Sequence, residues 1–336
     1  MRLGFPVKVL GVPGLKSNDS RRWRNLPHLR VSLEYLDLIF DYLDQHDIRM
    51  YRMSSDLAPY STHPDMPKFH GMIRECDREL RRLGARASSL GLRLSFHPSQ
   101  FVVMNATNPV LMEKSLLDIE SQAEILNRME LGPEAVVVIH AGGVYGDRKQ
   151  GCERWVQAWK KLSPAARSRL VLEHDDLRYG PADILWIQER TGVSLVFDHQ
   201  HYWCFNPEGM PMRQALTQML KTWNCHPKIH YSSPRTEMRE IGRLDRETGK
   251  TKAVVQQPLP TQHAAFANPF DFITFVREFS DLSFDVMLES KGKDLALLRL
   301  RQDLLRFAPD IAARFGVSAR VAATEPPVEI KTSASD

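Results

Sequence analysis

The chain reads as an α/β protein, a single-domain (β/α)8 TIM barrel. Three observations predict this. Short apolar runs alternate with amphipathic helical patterns from end to end. The runs are nearly continuous in apolar residues, as expected of parallel strands covered by helices. Eight such units occur in 336 residues, which suits a closed barrel with insertions. A doubly wound open sheet is the runner-up, but it usually has fewer units. No G-x-G-x-x-G or G-x-x-x-x-G-K-[ST] follows any strand, so a nucleotide cofactor is not expected.

Taken in order, the first strand is RLGFPVKVL (2–10). A helix at 32–46 follows, with Leu33, Leu36, Ile39, Phe40 and Leu43 at helical spacing. The second strand, IRMYRMS, precedes one long helix at 67–90. The third, LRLSF, leads to a helix at 109–130. The fourth, AVVVIH, runs into Gly142-Gly143 and a helix near 150–162. The fifth, RLVLE, is followed by a helix that opens on Pro181, where a missing N–H costs nothing. The sixth, SLVFD, has its helix at 211–223. The seventh, KIHYS, has its helix delayed to 269–280. The eighth, FDVMLE, precedes a last helix from Lys293 to about Phe307. Residues 235–262 form a long insertion, of the kind that shapes a substrate site at a barrel rim. The expected division is a barrel over 1–310 and a flexible C-terminal tail over 311–336.

Seven of the eight strands end, or run into a loop, with a metal-binding side chain. The segment from RMYRMS runs to His63. The others end on His97, His140, Glu173, Asp198 with His201, His230 and Glu289; His263 is a further candidate from a loop. Strand ends at one rim of a parallel barrel converge, so distant residues share one site. A lone His or Glu at a strand end is ordinarily a satisfied polar group. Recurrence at the same end is what points to ligands. Residues i and i+2 share a face of a strand, so Lys228 and His230 both enter the barrel, and Glu173 enters it while His174 does not. His28, His46, His70, His199 and His226 fall on helices, loops or the other face and read as structural. Spacing alone leaves His63 and His263 evenly balanced between ligand and loop residue. Imidazole and carboxylate without thiolate suit Zn, Mn, Fe or Mg-class ions. Clustered divalent ions on a basic protein suggest phosphodiester hydrolysis. An ammonium at Lys228 would be repelled by such ions, so it is expected to be neutral, turned away or modified.

The formal charge is +4 with a pI near 8.8, which permits nucleic acid as a partner without demanding it. Arg21, Arg22, Arg24 and Arg30 crowd one loop with Trp23, and Arg235, Arg239, Arg243, Arg246, Lys250 and Lys252 lie in the insertion. Taken alone each run reads as a solvated surface, the second interrupted by Glu237, Glu240, Asp245 and Glu247. Cys76, Cys152, Cys204 and Cys225 form no C-x-x-C pair, which fits reduced thiols in the cytoplasm. No apolar run approaches ~18 residues, so no membrane partner is expected.

RLGFP, SFHPSQFVV, VIHAGG, LEHDD, FDHQHY, KIHYSSPR and MLESKGKD, in that order over about residues 2–300, together resemble the UV-damage endonucleases. These are metal-dependent barrels related in fold to endonuclease IV and to sugar isomerases. The resemblance implies a DNA repair endonuclease that nicks damaged double-stranded DNA immediately 5′ to cyclobutane dimers and 6-4 photoproducts, and often at abasic sites. It implies a three-metal cluster, with Mn2+ as the expected ion and Mg2+, Zn2+ or Co2+ as alternatives, on His63, His97, His140, Glu173, Asp198, His201, His230, His263 and Glu289. Glu173, Glu289, Lys228 and His230 are the implied catalytic set. Lys228 matches a lysine that relatives carry as N6-carboxylysine. Gln100 and Phe101 match a dipeptide that probes the duplex opposite the lesion, and Phe5 stands where relatives often have Tyr. Relatives also often have Gln-Tyr at the probe and Asn where this chain has Val9. Apolar rings at 101 and 5 would fill the space left by an extruded, poorly stacked dinucleotide. The protein is expected to be a monomer, cytoplasmic, and nucleoid-associated if bacterial. The alternative reading is a metal-dependent sugar isomerase or epimerase on the same fold; it normally needs one or two metals and a small closed pocket.

Overall fold

The computed structural model describes residues 1–245 and 248–318. Its first half contains β1 (Leu3–Pro6), α1 (Leu29–Gln45), β2 (Met50–Arg52), α2 (Met72–Glu75), α3 (Asp77–Ser89), β3 (Arg93–Phe96), α4 (Pro109–Arg128) and β4 (Val136–His140). After these come α5 (Arg148–Trp159), α6 (Pro164–Arg167), β5 (Leu170–Glu173), α7 (Pro181–Thr191), β6 (Ser194–Val196), α8 (His199–Cys204), α9 (Met212–Leu220) and β7 (Lys228–Tyr231). The chain continues through β8 (Arg239–Leu244), β9 (Thr251–Gln256), α10 (Pro269–Glu278), β10 (Asp285–Leu288), α11 (Lys293–Phe307) and α12 (Pro309–Arg314). Eight strands form one parallel sheet in the order β6-β5-β4-β3-β2-β1-β10-β7. A parallel bridge between Asp198 and His230, with the His230 N–H donating to Phe197 O at 2.9 Å, joins the two ends. The barrel expected from the sequence is therefore the one observed.

The helices start where chemistry favours a start. Asn108 and Asn268 accept backbone N–H groups at the N-termini of α4 and α10, each followed by Pro. Asp147 and Ser163 do the same for α5 and α6. The long helix expected at 67–90 is instead a short 3-10 turn over Pro67–Phe69 followed by α2 and α3. Its basic, polar sequence supports the apolar stripe only from Leu80 to Ala87.

Strand phase sorts the residues. Val137, Ile139, Leu170, Leu172, Ile229, Tyr231, Val286 and Leu288 face outward into the large core shared with the helices. Val136, Val138, Val171 and Val196 face inward and form a separate small apolar cluster, joined by Trp223. Their phase continues upward to His140, Glu173 and Asp198. Gly4 is also inward. A Cβ there would meet Met50 Cγ at 2.6 Å, so the narrow interior admits no side chain at this point.

Three expectations are corrected. Phe5 is 0% exposed and belongs to the outer core, edge-on to Tyr51 at 5.4 Å. Its phase in β1 matches Leu3, which rules it out as an exposed probing ring. The tail drawn from residue 311 begins too early. Ile311, Ala312, Phe315 and Val317 are buried, so the packed body runs through Val317; residues 319–336 lie outside the described residues. The insertion is not a bare loop. It contains the antiparallel hairpin β8–β9, except for residues 246–247, which are also outside the described residues.

Candidate metal centre at the barrel mouth

Glu173 is the centre of the mouth. It ends β5 with its side chain turned inward and fully buried. Its Oε2 lies 3.1 Å from His97 Nε2 and 3.9 Å from His140 Nε2. Its Oε1 lies 3.0 Å from His230 Nδ1 and 3.3 Å from His201 Nδ1. Glu289 follows β10 and places Oε1 at 3.2 Å from His230 Nδ1. Asp198 caps α8, its Oδ1 accepting the His201 N–H at 2.7 Å, which fixes both side chains on one turn. Three overlapping groups could each hold an ion: His97, Glu173 and His230; His140, Glu173 and His201; Asp198, His230 and Glu289. Seven of the nine sequence-derived ligand candidates are thus brought together.

The other two are placed differently. His263 stands on the loop beyond the hairpin, its ring 6.2 Å from that of His201, and its charge bears on Asp198 and Glu289. His63 joins none of the three groups. It sits in the loop after β2, with Nδ1 accepting the Asp65 N–H at 3.3 Å and its ring 6.4 Å from Tyr60.

The donor set fits divalent cations. Glu173 Oε1, Asp198 Oδ2, His140 Nδ1 and His230 Nδ1 are buried without an aligned hydrogen bond. Buried polar atoms are otherwise nearly always satisfied, and leaving a buried carboxylate oxygen unmatched is costly. His97 and His201 are oriented by backbone: their Nδ1 atoms lie 3.0 Å from the carbonyls of Pro98 and His174. If Nδ1 carries the proton, Nε2 is left as a donor atom, the usual arrangement for a ligating imidazole.

In the mouth, buried carboxyls and imidazoles shift one another strongly. Burial opposes ionisation of Glu173, but His230 and His140 hold its carboxyl well below the usual range. Burial also opposes ionisation of Glu289, and Arg52 with His230 outweighs it. Burial raises Asp198 to about 6 and lowers His230 to about 4. Burial disfavours the His201 imidazolium too, yet Asp198 and Glu173 hold its pKa well above normal. His174 faces away; its Nε2 accepts the Asp198 N–H at 3.0 Å, and burial pushes it down to about 3.

Lys228 is 0% exposed, and its Nζ has no hydrogen-bond partner. It shares the inward face of β7 with His230. Burial, followed by the charges of Arg52 and Arg93, drives its pKa well below the lysine range despite Glu173 and Glu289.

A cavity of about 570 Å3 opens above the centre, lined in part by His140, His201, His263, Gln100, Phe101 and Tyr145. Phe101 is 74% exposed at its edge. The loop after β4 is held by Asn105, whose Nδ2 donates to Gly143 O at 2.8 Å and whose Oδ1 accepts the Gly143 N–H at 3.1 Å. Gly142 has φ 108°, and a Cβ there would strike Val103 and Asn105. The loop carrying the candidate probe and the loop after His140 are thus one fastened unit.

Sequence reasoning did not single out Arg52. Its Nη2 lies 3.3 Å from His230 Nε2 and pairs with Glu289. The signal was present: RMYRMS places a charge in the middle of an apolar strand, in phase with Met50, which faces inward.

A family model described as UV-endonuclease UvdE matches residues 17–314. A UV DNA damage endonuclease of Bacillus cereus (strain G9842) is 31% identical over 308 residues, covering 89% of each chain. The crystal structure of SacUVDE superposes with a TM-score of 0.75 and 28% identity, over 91% of this chain and 98% of that one. A D-psicose 3-epimerase determined with D-fructose superposes at 0.50 with 11% identity, over 96% and 97% of the two chains, a likeness of fold alone.

Proposed function

The chain belongs to the UvdE UV-endonuclease family, and from that premise we propose that it is a DNA repair endonuclease that hydrolyses the phosphodiester immediately 5′ to UV photoproducts in duplex DNA. The observation that carries this reading is the pairing of two features at one mouth. Buried, unmatched carboxylates and imidazoles lie in the floor, and an exposed aromatic ring stands at the edge of the same cavity.

The proposed ligands are His63, His97, His140, Glu173, Asp198, His201, His230, His263 and Glu289. Glu173 and His230 are each shared between groups, which favours a cluster of ions over isolated sites. Mn2+ is the proposed species. Divalent cations held there supply charge to polarise the phosphate and lower the pKa of a bound water. The chain's own residues do the rest. Glu173 at the end of β5, His230 in β7 and Glu289 just after β10 orient the centre. Arg52 presents a planar guanidinium at the same level, a shape that suits a phosphate. Phe101 offers a stacking face, and Gln100 hydrogen bonds, to bases beside an extruded lesion.

Lys228 is proposed to be carboxylated. A neutral lysine amine attacks CO2 and loses one proton, which leaves a carbamate anion. Burial, with Arg52 and Arg93, lowers the pKa of the amine; once the carbamate forms, the two guanidinium groups would attract it against the cost of burying an anion. Intact-mass and peptide-mass measurements under CO2 test this, and an unmodified amine beside full metal occupancy would count against it.

The function is tested with irradiated and unirradiated plasmid, with and without EDTA. Nicks confined to irradiated plasmid, suppressed by EDTA and leaving 3′-hydroxyl and 5′-phosphate ends, are expected. No nicking of damaged plasmid with any of Mn2+, Mg2+, Zn2+ or Co2+ would sink the proposal. The protein is proposed to act as a cytoplasmic monomer. Among the described residues no helix is long and apolar enough to cross a membrane.

A further inference from the structure

The β8–β9 hairpin has no evident part in the barrel. Nearly every residue of both strands is exposed, on both faces. An isolated two-stranded ribbon is marginal in water, and this one displays Ile241, Leu244, Val254 and Val255 to solvent. Its register separates two unlike faces. Arg239 opposes Gln256, Ile241 opposes Val254, and Arg243 opposes Lys252. Directly opposed residues share a face, so one face carries Arg239, Arg243 and Lys252 around an apolar pair. The other carries Glu240, Gly242, Leu244, Thr251, Ala253 and Val255. Two cations placed directly opposite each other destabilise a bare ribbon. Asp245 pairs with Lys252 at 2.6 Å and Glu237 lies 3.5 Å from Arg239, so among the described residues part of that charge is offset.

The ribbon springs from the metal centre. Pro234 and His263 form an antiparallel bridge, the Arg235 N–H donates to Gln262 O at 2.7 Å, and the Ala264 N–H to Ser233 O at 2.8 Å. The loop after Glu289 joins the same ladder, with the Lys291 N–H donating to Ala264 O and the Gly292 N–H to Ala265 O. Three segments carrying His230, His263 and Glu289 are thereby laced together at the root. Arg235 is buried there, its Nη2 held by Gln256 Oε1 at 3.2 Å and Gln257 O at 3.1 Å. Lys291 stands in the field of both Arg239 and Arg235, so the basic face begins at the rim itself.

We infer that this hairpin is a DNA-clamping arm that lays its Arg239–Arg243–Lys252 face along the duplex flanking the lesion and so sets how much flanking duplex the enzyme needs. A two-stranded ribbon fits the major groove. Interleaved cations and small apolar side chains suit phosphates with the groove wall between them. The inference rests on the proposed function and specifies how its substrate is held.

The test compares wild type with Arg239→Ala/Arg243→Ala/Lys252→Ala, and with a variant in which the ribbon is cut back to a tight turn. Binding is measured on a single-dimer duplex with long flanks and on one that ends close to the lesion, over a series of salt concentrations. Metal content and melting temperature are read in parallel. The expected result is a roughly tenfold loss of affinity for the long duplex, with a salt slope shallower by about 0.9 for each lost phosphate contact. The short duplex should be bound as by wild type, with metal content unchanged. Wild-type affinity and salt slope in both variants would overturn the arm, provided wild type nicks irradiated plasmid. A dimer of wild type that both variants abolish, with DNA binding unaltered, would overturn it in favour of self-association. Absence of any damage-specific nicking by wild type would instead remove the proposed function, and the arm with it.

Discussion

The two ends of the barrel interior treat buried charge in opposite ways. At the base, Asp285 is met by Arg93 at 2.9 Å, Arg2 at 3.0 Å and His226 at 3.3 Å, while Glu134 takes the other side of Arg2 at 2.8 Å. Arg93 also lies over Trp223. At the mouth, Glu173, Asp198, His140 and His230 keep buried atoms with no aligned partner. Between the two lies the small Val136, Val138, Val171 and Val196 layer. Buried ions are tolerated when paired and strongly destabilising when one partner is missing. The base is thus closed by ion pairs within the chain, though Arg93 Nη2 has no hydrogen bond there, whereas the mouth gathers carboxylates and imidazoles in the geometry of a candidate metal centre. Lys228 is the group that links them. Its strand position is level with Asp285, yet its amine lies in the field of Glu173 and Glu289.

The sharpest way to break this contrast is a matched pair of isosteric changes. Glu173→Gln should lower nicking by more than about a hundredfold, beyond the range for outer-shell partners of a metal ligand, and reduce bound metal. The barrel should stay folded, because strand-end residues serve the site more than the core. Asp285→Asn should do the reverse, costing about 3–5 kcal/mol of stability while the metal content of the folded fraction stays as in wild type. Urea melts and elemental analysis on both variants decide it. If Asp285→Asn loses metal and keeps its stability, the two ends are not distinct.

A smaller effect is expected at the edge of the mouth. Phe101→Ala should weaken binding and nicking of a single-dimer duplex by about 1–3 kcal/mol, the worth of one stacked base, with metal content unchanged. Phe101→Tyr should stay close to wild type. Full activity in the alanine variant would place the wedge elsewhere, and not at Phe5, which is sealed in the outer core.

The smallest effect concerns pH, read on metal-free protein. His199 is buried against Tyr231 and Phe275, and burial pushes its pKa down to about 4 from 6.5. The unfolded chain then binds the extra proton first. The contribution of His199 is fully present above pH 6.5 and is lost as the pH falls towards 4. His174, pushed down to about 3, adds in the same direction, while His201, whose pKa is raised, contributes stability that is fully present below pH 6.5 and is lost as the pH rises through its raised value. His199→Phe keeps the ring contacts and removes the titration, so its stability should fall less between pH 7 and 5 in urea melts. An unchanged slope would show that His199 titrates normally.

The sequence by itself determined the barrel, the order of its units and most of the mouth. These depend on local rules: side chains alternate along a strand, and parallel strands all end at one rim, so His97, His140, Glu173, Asp198, His230 and Glu289 could be placed on it without coordinates. What only the tertiary structure decided depends on pairing between distant segments. Phe5 has the composition of a probe, but the register of β1 against β2 turns it to the helices. Arg52 looked like an ordinary strand residue until closure of the barrel set it beside Glu289. The insertion became a ribbon because its two halves pair with each other, and His63 stayed apart from the central groups because a loop, unlike a strand end, carries no phase that fixes where its side chain points.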